Sequence, residues 1–237
     1  MRDFVEFYTN EYDEESRLHR HGTEFASTTY ILDKLIGKNA RILDVGAGTG
    51  AYSLYYARKG CSVVAIDAVL KNIEILRGKI RSQLDLDIQA HVADIRNPPA
   101  SLGTDYDVIL FMGPVYHLPL PEIRRCIDFC MRLLNRDGLF AVSYVNMHEG
   151  HQGSKYSDVF IPYKPEEIEN LLKEYISMIF HGPTDGEIFG ELNALSQGLL
   201  EDISVLHSWL DNNRSVFQDT HWPFTSVHGL YIGKKTH

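Results

Sequence analysis

The feature that most constrains this chain is Leu43-Asp44-Val45-Gly46-Ala47-Gly48-Thr49-Gly50, three glycines at alternate positions directly after an apolar run. Ala40-Arg41-Ile42-Leu43 has the composition of a short buried strand, and Ala51 to Gly60 reads as a helix closed by glycine. A loop placed between them must turn sharply. Glycine permits the positive φ and the close backbone approach that such a turn needs. The first N–H groups of the following helix lack intrahelical partners and are left for a polar ligand. The segment therefore implies a strand, loop and helix of an α/β sheet, with a ligand at the carboxyl end of the strand.

The spacing separates two kinds of ligand. A dinucleotide fingerprint reads Gly-x-Gly-x-x-Gly, whereas Gly46, Gly48 and Gly50 give Gly-x-Gly-x-Gly with Asp44 ahead of the first glycine. In this the chain resembles the class I S-adenosylmethionine-dependent methyltransferases, whose nucleoside-binding loop commonly reads Leu-Asp-hydrophobic-Gly-x-Gly-x-Gly. The resemblance implies that Asp44, Gly46, Ala47, Gly48 and Gly50 bind S-adenosyl-L-methionine and its product S-adenosyl-L-homocysteine. Read from the residues alone, a structural glycine turn stays open.

Downstream segments extend the pattern. Ser62 to Ile66 is a second β-rich run ending at Asp67, followed by Ala68. A carboxylate there can accept from both ribose hydroxyls, or it can cap the helix that begins near Val69. Ile88 to Ala93 leads to Asp94-Ile95, which by the resemblance take the adenine amine and the adenine ring. Tyr106 to Met112 runs into Gly113-Pro114-Val115-Tyr116-His117-Leu118, similar to the Gly-Pro-Leu-Tyr-His-Leu segment that faces the methyl donor in one methyltransferase subgroup. For Tyr116, core packing and site lining weigh equally. His117 reads first as structural and second as a base.

Further elements are expected as a helix over Glu122–Leu134, a break at Asn135–Gly138 and a strand over Leu139–Val145. A helix over Pro165–Ile176 and a short strand over Met178–His181 follow. Gly190–Asn212 reads as one amphipathic helix, part of the acceptor cap in the resembled subgroup, whose apolar face would serve equally to cover the sheet or to pair two copies. The last strand is expected over Val227–Gly233.

Two segments lack clean periodicity. Phe4 to Leu18 is aromatic and acidic, and the resemblance makes it a lid in which Tyr12 and Arg17 contact the methionine end of the donor. A solvated helix anchored by its aromatics is the competing reading. Asn146 to Ser154 has loop composition and is expected to be a mobile lid over the acceptor. Its His148, Glu149 and His151 have no further strong ligand at helical spacing, and a glycine-rich loop does not preorganise a site, so no metal is expected.

With 237 residues and 44% apolar content, one domain with one sizeable core is the economical count. The resemblance implies an α/β, Rossmann-like, doubly wound seven-stranded sheet, mostly parallel with the last strand antiparallel, carrying helical lid and cap elements. Its parts would be the N-terminal lid and first helix (1–36), the S-adenosylmethionine-binding core (40–145), lid loop, sixth strand and cap helix (146–226), and the last strand (227–234). A formal charge of −9 argues against nucleic acid. Cys61, Cys126 and Cys130 have no paired spacing and read as reduced core thiols. A basic-then-apolar N-terminal segment and an apolar stretch of about 18 residues are both missing, so neither export nor a membrane span is expected and the location is taken as cytoplasmic.

The expected function is methyl transfer to a small-molecule acceptor by in-line displacement, driven by proximity and alignment. A base is needed where the acceptor arrives protonated, with His117, Tyr116 and Tyr12 as candidates. The competing functions are a donor-binding protein without transferase activity and a nicotinamide-dependent oxidoreductase.

Overall fold

The computed structural model describes residues 3–16, 21–83, 85–147, 158–199 and 202–236. Strands β1 (Arg41–Val45), β2 (Ser62–Asp67), β3 (Ile88–Val92), β4 (Tyr106–Phe111), β5 (Leu134–Val145), β6 (Ile176–Pro183) and β7 (His228–Lys235) form one sheet in the order β3-β2-β1-β4-β5-β7-β6. Pairings among β1 to β5 are parallel, and β7 runs antiparallel between β5 and β6. The expected seven-stranded sheet with a reversed last strand is what forms. Strand order reverses between β1 and β4, which opens a crevice beyond their carboxyl ends.

Side chains alternate across the sheet with period two. Leu43, Ile109, Phe111, Phe140 and Val142 face one helical layer, where α5 (Leu120–Leu133) contributes Ile123, Ile127 and Cys130 and α6 (Pro165–Leu172) contributes Ile168 and Leu172. Ile42, Val108, Leu110, Ala141 and Ile232 face the other layer. There α2 (Gly22–Leu32) and α3 (Ala51–Arg58) meet α7 (Gly190–Leu199) and α8 (Ile203–Asn212). A third helix on that sequence path, α4 (Leu70–Arg81), packs Ile73 and Leu76 against Ala65 and Ala90. All three cysteines are buried thiols.

Several expectations change. The helix expected over Glu122–Leu134 runs Leu120–Leu133 and passes directly into β5. Leu134 pairs with Tyr106 and Leu139 with Val108, so Asn135–Gly138 bulges inside the strand instead of ending an element. Asp137 at φ 60° makes the bulge, and Asn135 Nδ2 holds it by donating to Asp107 Oδ1 (3.0 Å). α6 stops at Leu172 instead of reaching Ile176, because Ile176 is drawn into the antiparallel ladder opposite Lys235, and β6 extends to Pro183 on the same ladder. The single helix expected over Gly190–Asn212 is two helices, with Asp202 Oδ1 accepting from Ser204 N (3.2 Å) to start the second. The last strand begins at His228 and runs to Lys235.

The joint between α5 and β5 has no loop to satisfy the last helical carbonyls. Lys235 at the end of β7 does so, its Nζ donating to Met131 O (2.6 Å) and Leu134 O (2.7 Å). A cation there also opposes the negative end of the helix dipole. Lys235→Met is expected to lower the unfolding free energy by about 1–2 kcal/mol, measured by urea denaturation; an unchanged midpoint would show that the joint does not depend on the ammonium.

Candidate functional site

The loop after β1 is shaped by its neighbours. Gly46 N and Ala47 N both donate to Ile66 O (2.9 and 3.0 Å), which leans the loop over β2. Gly46 has φ +74°, and a Cβ there would stand 2.9 Å from Pro114 Cδ and 3.0 Å from Gly113 Cα. The β1 and β4 loops thus touch through two glycines, and neither position accepts a side chain. Gly50, at φ +88°, would place a Cβ 2.2 Å from Leu76 Cδ1 on α4.

Asp67 sits where these parts meet and is 8% exposed. Its Oδ2 accepts from Gly48 N (2.9 Å), and its Oδ1 accepts from Val69 N (2.8 Å) and, more distantly, Asn72 Nδ2 (3.4 Å). Burial pushes the carboxyl above its usual range, and these donors work in the opposite direction. Asp67 does not cap the helix Leu70–Arg81, whose N-cap is Val69 without a side-chain cap; it holds the N–H of that N-cap residue, and the same carboxylate reaches the glycine loop.

Gly46, Gly48, Asp67, Ala68, Asp94, Ile95 and Gly113 all line one cleft enclosing about 620 Å³ of empty space that is continuous with solvent. It lies beyond the carboxyl ends of β1 to β4. Its outer wall comes from α1 (Phe4–Asn10), whose Phe4 and Tyr8 line it. Phe4 stacks on His117 (centroids 5.1 Å, 14° between planes), and Tyr8 and Phe160 meet the same imidazole at 5.4 and 5.1 Å. α1 is held by Phe7, fully buried with Val69 and Val159.

The cleft is acidic. Glu14, Asp67 and Asp94 line it, and no lysine or arginine does so among the described residues. Asp94 is gripped by Arg96 through Nε to both carboxylate oxygens (3.1 and 2.9 Å) and Nη2 to Oδ2 (2.6 Å). Burial alone would raise the Asp94 pKa, yet the Arg96 contacts hold it below its ordinary value. A smaller neighbouring cavity of about 390 Å³ shares Glu14, Gly46 and Tyr116 with the cleft and adds Ala47, Tyr52 and Met112.

Other expected site residues are placed differently. Asp44 is buried beneath the loop, accepts from Ser53 Oγ (2.6 Å) and lines neither space. Gly50 also lines neither. Tyr12 packs on Phe7 and Tyr8 (5.3 and 5.1 Å) instead of lining the cleft. Tyr116 is half-buried and lines both spaces. Arg17 and Leu18, and His148 to Ser154 with the histidines and glutamate considered for a metal, lie outside the described residues. Sequence reasoning missed Phe4, Tyr8, Glu14 and Asn72. The first three stand in the aromatic, acidic segment it singled out, where composition could not rank the individual residues.

His117 is 6% exposed, donates through Nδ1 to Val159 O (3.1 Å), and is pushed down to about 4 by burial, the carbonyl acting the other way. A packed, neutral ring of such low basicity is poorly matched to proton abstraction near neutral pH.

Residues 42–138 match the family model described as a methyltransferase domain. The ubiquinone biosynthesis O-methyltransferase of Chelativorans sp. (strain BNC1) is 36% identical over 107 residues, 45% of this chain and 40% of that protein. The chain spans about half the length of the curated relatives it matches. Among solved structures, phosphoethanolamine N-methyltransferase 2 of Haemonchus contortus, in complex with S-adenosyl-L-methionine, superposes with a TM-score of 0.72 at 14% identity, covering 100% of this chain and 61% of that one. The [4+2]-cyclase SpnF superposes with a TM-score of 0.59 at 17% identity, covering 90% and 80%. The fold is that of the class I methyltransferases. No helix among the described residues is long and apolar enough to cross a membrane.

The state of His117 has a consequence for stability. Its pKa in the folded protein lies below the unfolded value near 6.5, so the unfolded chain binds the extra proton between these values. The stability it contributes is present above pH about 6.5 and is lost as pH falls toward 4, on the order of 3 kcal/mol in full. His181, also pushed down to about 4 by burial, adds to the decline. His117→Phe, which keeps a ring against Phe4, is expected to flatten but not abolish the fall in urea-unfolding free energy between pH 7 and 4.5. An equally steep fall in the variant would show that the ring is not buried neutral.

Proposed function

We propose that this protein transfers a methyl group from S-adenosyl-L-methionine to a small-molecule acceptor. The observation that carries the reading is the acid-lined cleft beside the glycine loop. A donor that bears a sulfonium and an ammonium is attracted by Glu14, Asp67 and Asp94. A dinucleotide pyrophosphate would meet the same carboxylates without a lysine or arginine lining the cleft among the described residues. The loop spacing and the charge thus disfavour a nicotinamide ligand for independent reasons.

Each wall of the cleft has a task in this reading. Asp67 accepts from the ribose hydroxyls, exchanging part of its present hydrogen bonding for theirs. Ile95 and Ala68 pack against the base, and Asp94, oriented by Arg96, meets its exocyclic amine. Gly46, Gly48 and Glu14 surround the amino-acid end. The methyl then points toward the smaller cavity that Tyr116 shares, and a nucleophile held there in line at roughly 3–3.5 Å needs little further assistance. Oxygen is the acceptor atom this reading favours, since the named curated relative is an O-methyltransferase.

The cyclase among the structural neighbours gives weight to a second reading, a donor-binding protein that transfers no methyl group, because one fold hosts several chemistries. Incubation with methyl-labelled donor and fractionated metabolite pools separates the two. A labelled small molecule supports transfer, whereas tight binding with no labelled product in any pool supports the second.

Calorimetry tests the donor itself. S-adenosylhomocysteine should bind and NADH should not. Asp67→Ala should weaken that binding by about 1.5–3 kcal/mol, the scale of hydrogen bonds to a charged group. A 2′,3′-dideoxy analogue should be far less sensitive to the substitution. Equal losses for both ligands would assign Asp67 to the loop and α4 alone.

A further inference from the structure

Away from the donor cleft, three side chains from distant parts of the chain converge: His21 at the start of α2, Asp185 just beyond β6 and His228 at the start of β7. One potential ligand atom from each lies within 4.8 Å of those of the other two. Asp185 is fixed in place. Its Oδ1 accepts from Ser226 Oγ (3.0 Å), Val227 N (2.8 Å) and His228 N (2.9 Å). Its Oδ2 is directed to His228 Nδ1 at 2.5 Å. The His21 ring stands edge-on to that of His228, with centroids 5.2 Å apart and planes at 82°. The Asp185 and His228 side chains are 13% and 12% exposed, and His21 is half-buried.

We propose that His21, Asp185 and His228 bind a divalent first-row transition-metal ion of the zinc type. Imidazole with a single carboxylate suits zinc, cobalt, nickel or iron, whereas calcium and magnesium favour all-oxygen surroundings. Two histidines and a carboxylate fill one face of such an ion and leave positions open to a further ligand. Donor atoms around one ion stand roughly 3 Å apart. In the ion-free protein the Asp185–His228 contact is a hydrogen bond, whose proton the ion displaces as it binds. A carboxylate held by three donors is already oriented for the task, so little ordering is needed.

The cluster lies on the same carboxyl edge as the donor cleft. β7 is two strands from β4 in the sheet, on the order of 10 Å at ordinary strand spacing. An ion there would stand on the acceptor half of that edge and hold an anionic or hydroxylic oxygen of the acceptor. That consequence rests on the methyl-transfer reading; the metal site does not.

The test uses the full chain after chelator treatment, titrated with Co²⁺ and followed by absorption and calorimetry, with S-adenosylhomocysteine binding measured in parallel. One Co²⁺ per chain is expected, displaced by Zn²⁺ but not by Mg²⁺. His21→Ala and His228→Ala should each weaken Co²⁺ binding by more than about tenfold. His21 makes no capping hydrogen bond, so its variant probes the ion without removing a helix cap. Asp185 anchors the start of β7 and is left intact. Co²⁺ binding unchanged by both substitutions would overturn the proposal. So would a wild-type chain that binds no more Co²⁺ than the His21→Ala, His228→Ala double variant, which would leave Asp185 and His228 as a hydrogen-bonded pair. Co²⁺ binding that follows the two histidines while S-adenosylhomocysteine fails to bind would uphold the metal site and remove the donor reading.

Discussion

The Asp67 carboxylate joins three elements at one point: Gly48 N of the β1 loop on one oxygen, and Val69 N and Asn72 Nδ2 at the start of α4 on the other. A buried carboxylate is costly unless donors converge on it. Here the donors are the backbone that must be held still for a ligand. The glycine loop and the start of α4 are thereby tied to one side chain at the floor of the cleft. Its burial raises the pKa while its donors oppose the change. A ligand hydroxyl arriving there meets an acceptor whose hydration has already been removed.

The aromatic cover over the cleft follows a different logic. Phe4, Tyr8, Phe160 and His117 interlock, and Arg96 lies over the Phe4 ring at 5.2 Å while it grips Asp94. The N-terminal helix is thereby coupled to the residue proposed to meet the base. The imidazole is part of that packing, which is why its basicity is low. A histidine beside the cleft proposed to hold the donor invites a catalytic role, but the same burial that builds the wall removes its usefulness as a base.

The far half of the sheet is organised by β7. It enters between β5 and β6, its terminal Lys235 closes the end of α5, and its first residue His228 meets Asp185. One antiparallel strand thus ties the amino end of the sheet to a helix and the carboxyl end to a polar cluster. The β1–β4 half is built from consecutive βα units, whereas the other half depends on pairings between residues far apart in the chain.

Much of this was legible in the residues themselves. Alternate glycines after an apolar strand require a tight βα loop, and apolar runs ending in Asp67 and Asp94 require strands with acids at their tips, because short-range sterics and strand periodicity act within a few residues. A seven-stranded, mostly parallel sheet with an antiparallel last strand was expected from resemblance and formed as expected. Local patterning failed where a ladder or packing partner decided instead. Ile176 left its helix for the pairing with Lys235, Asp44 and Gly50 were set by Ser53 and Leu76, and Glu14 reached the cleft from a segment without periodicity. The convergence of His21, Asp185 and His228 had no spacing to announce it. The sequence by itself determined the loop, the strands around it and the charge of their tips. Tertiary structure alone decided which side chains meet, since contacts between residues more than a hundred positions apart depend on the sheet order that brings their strand ends together.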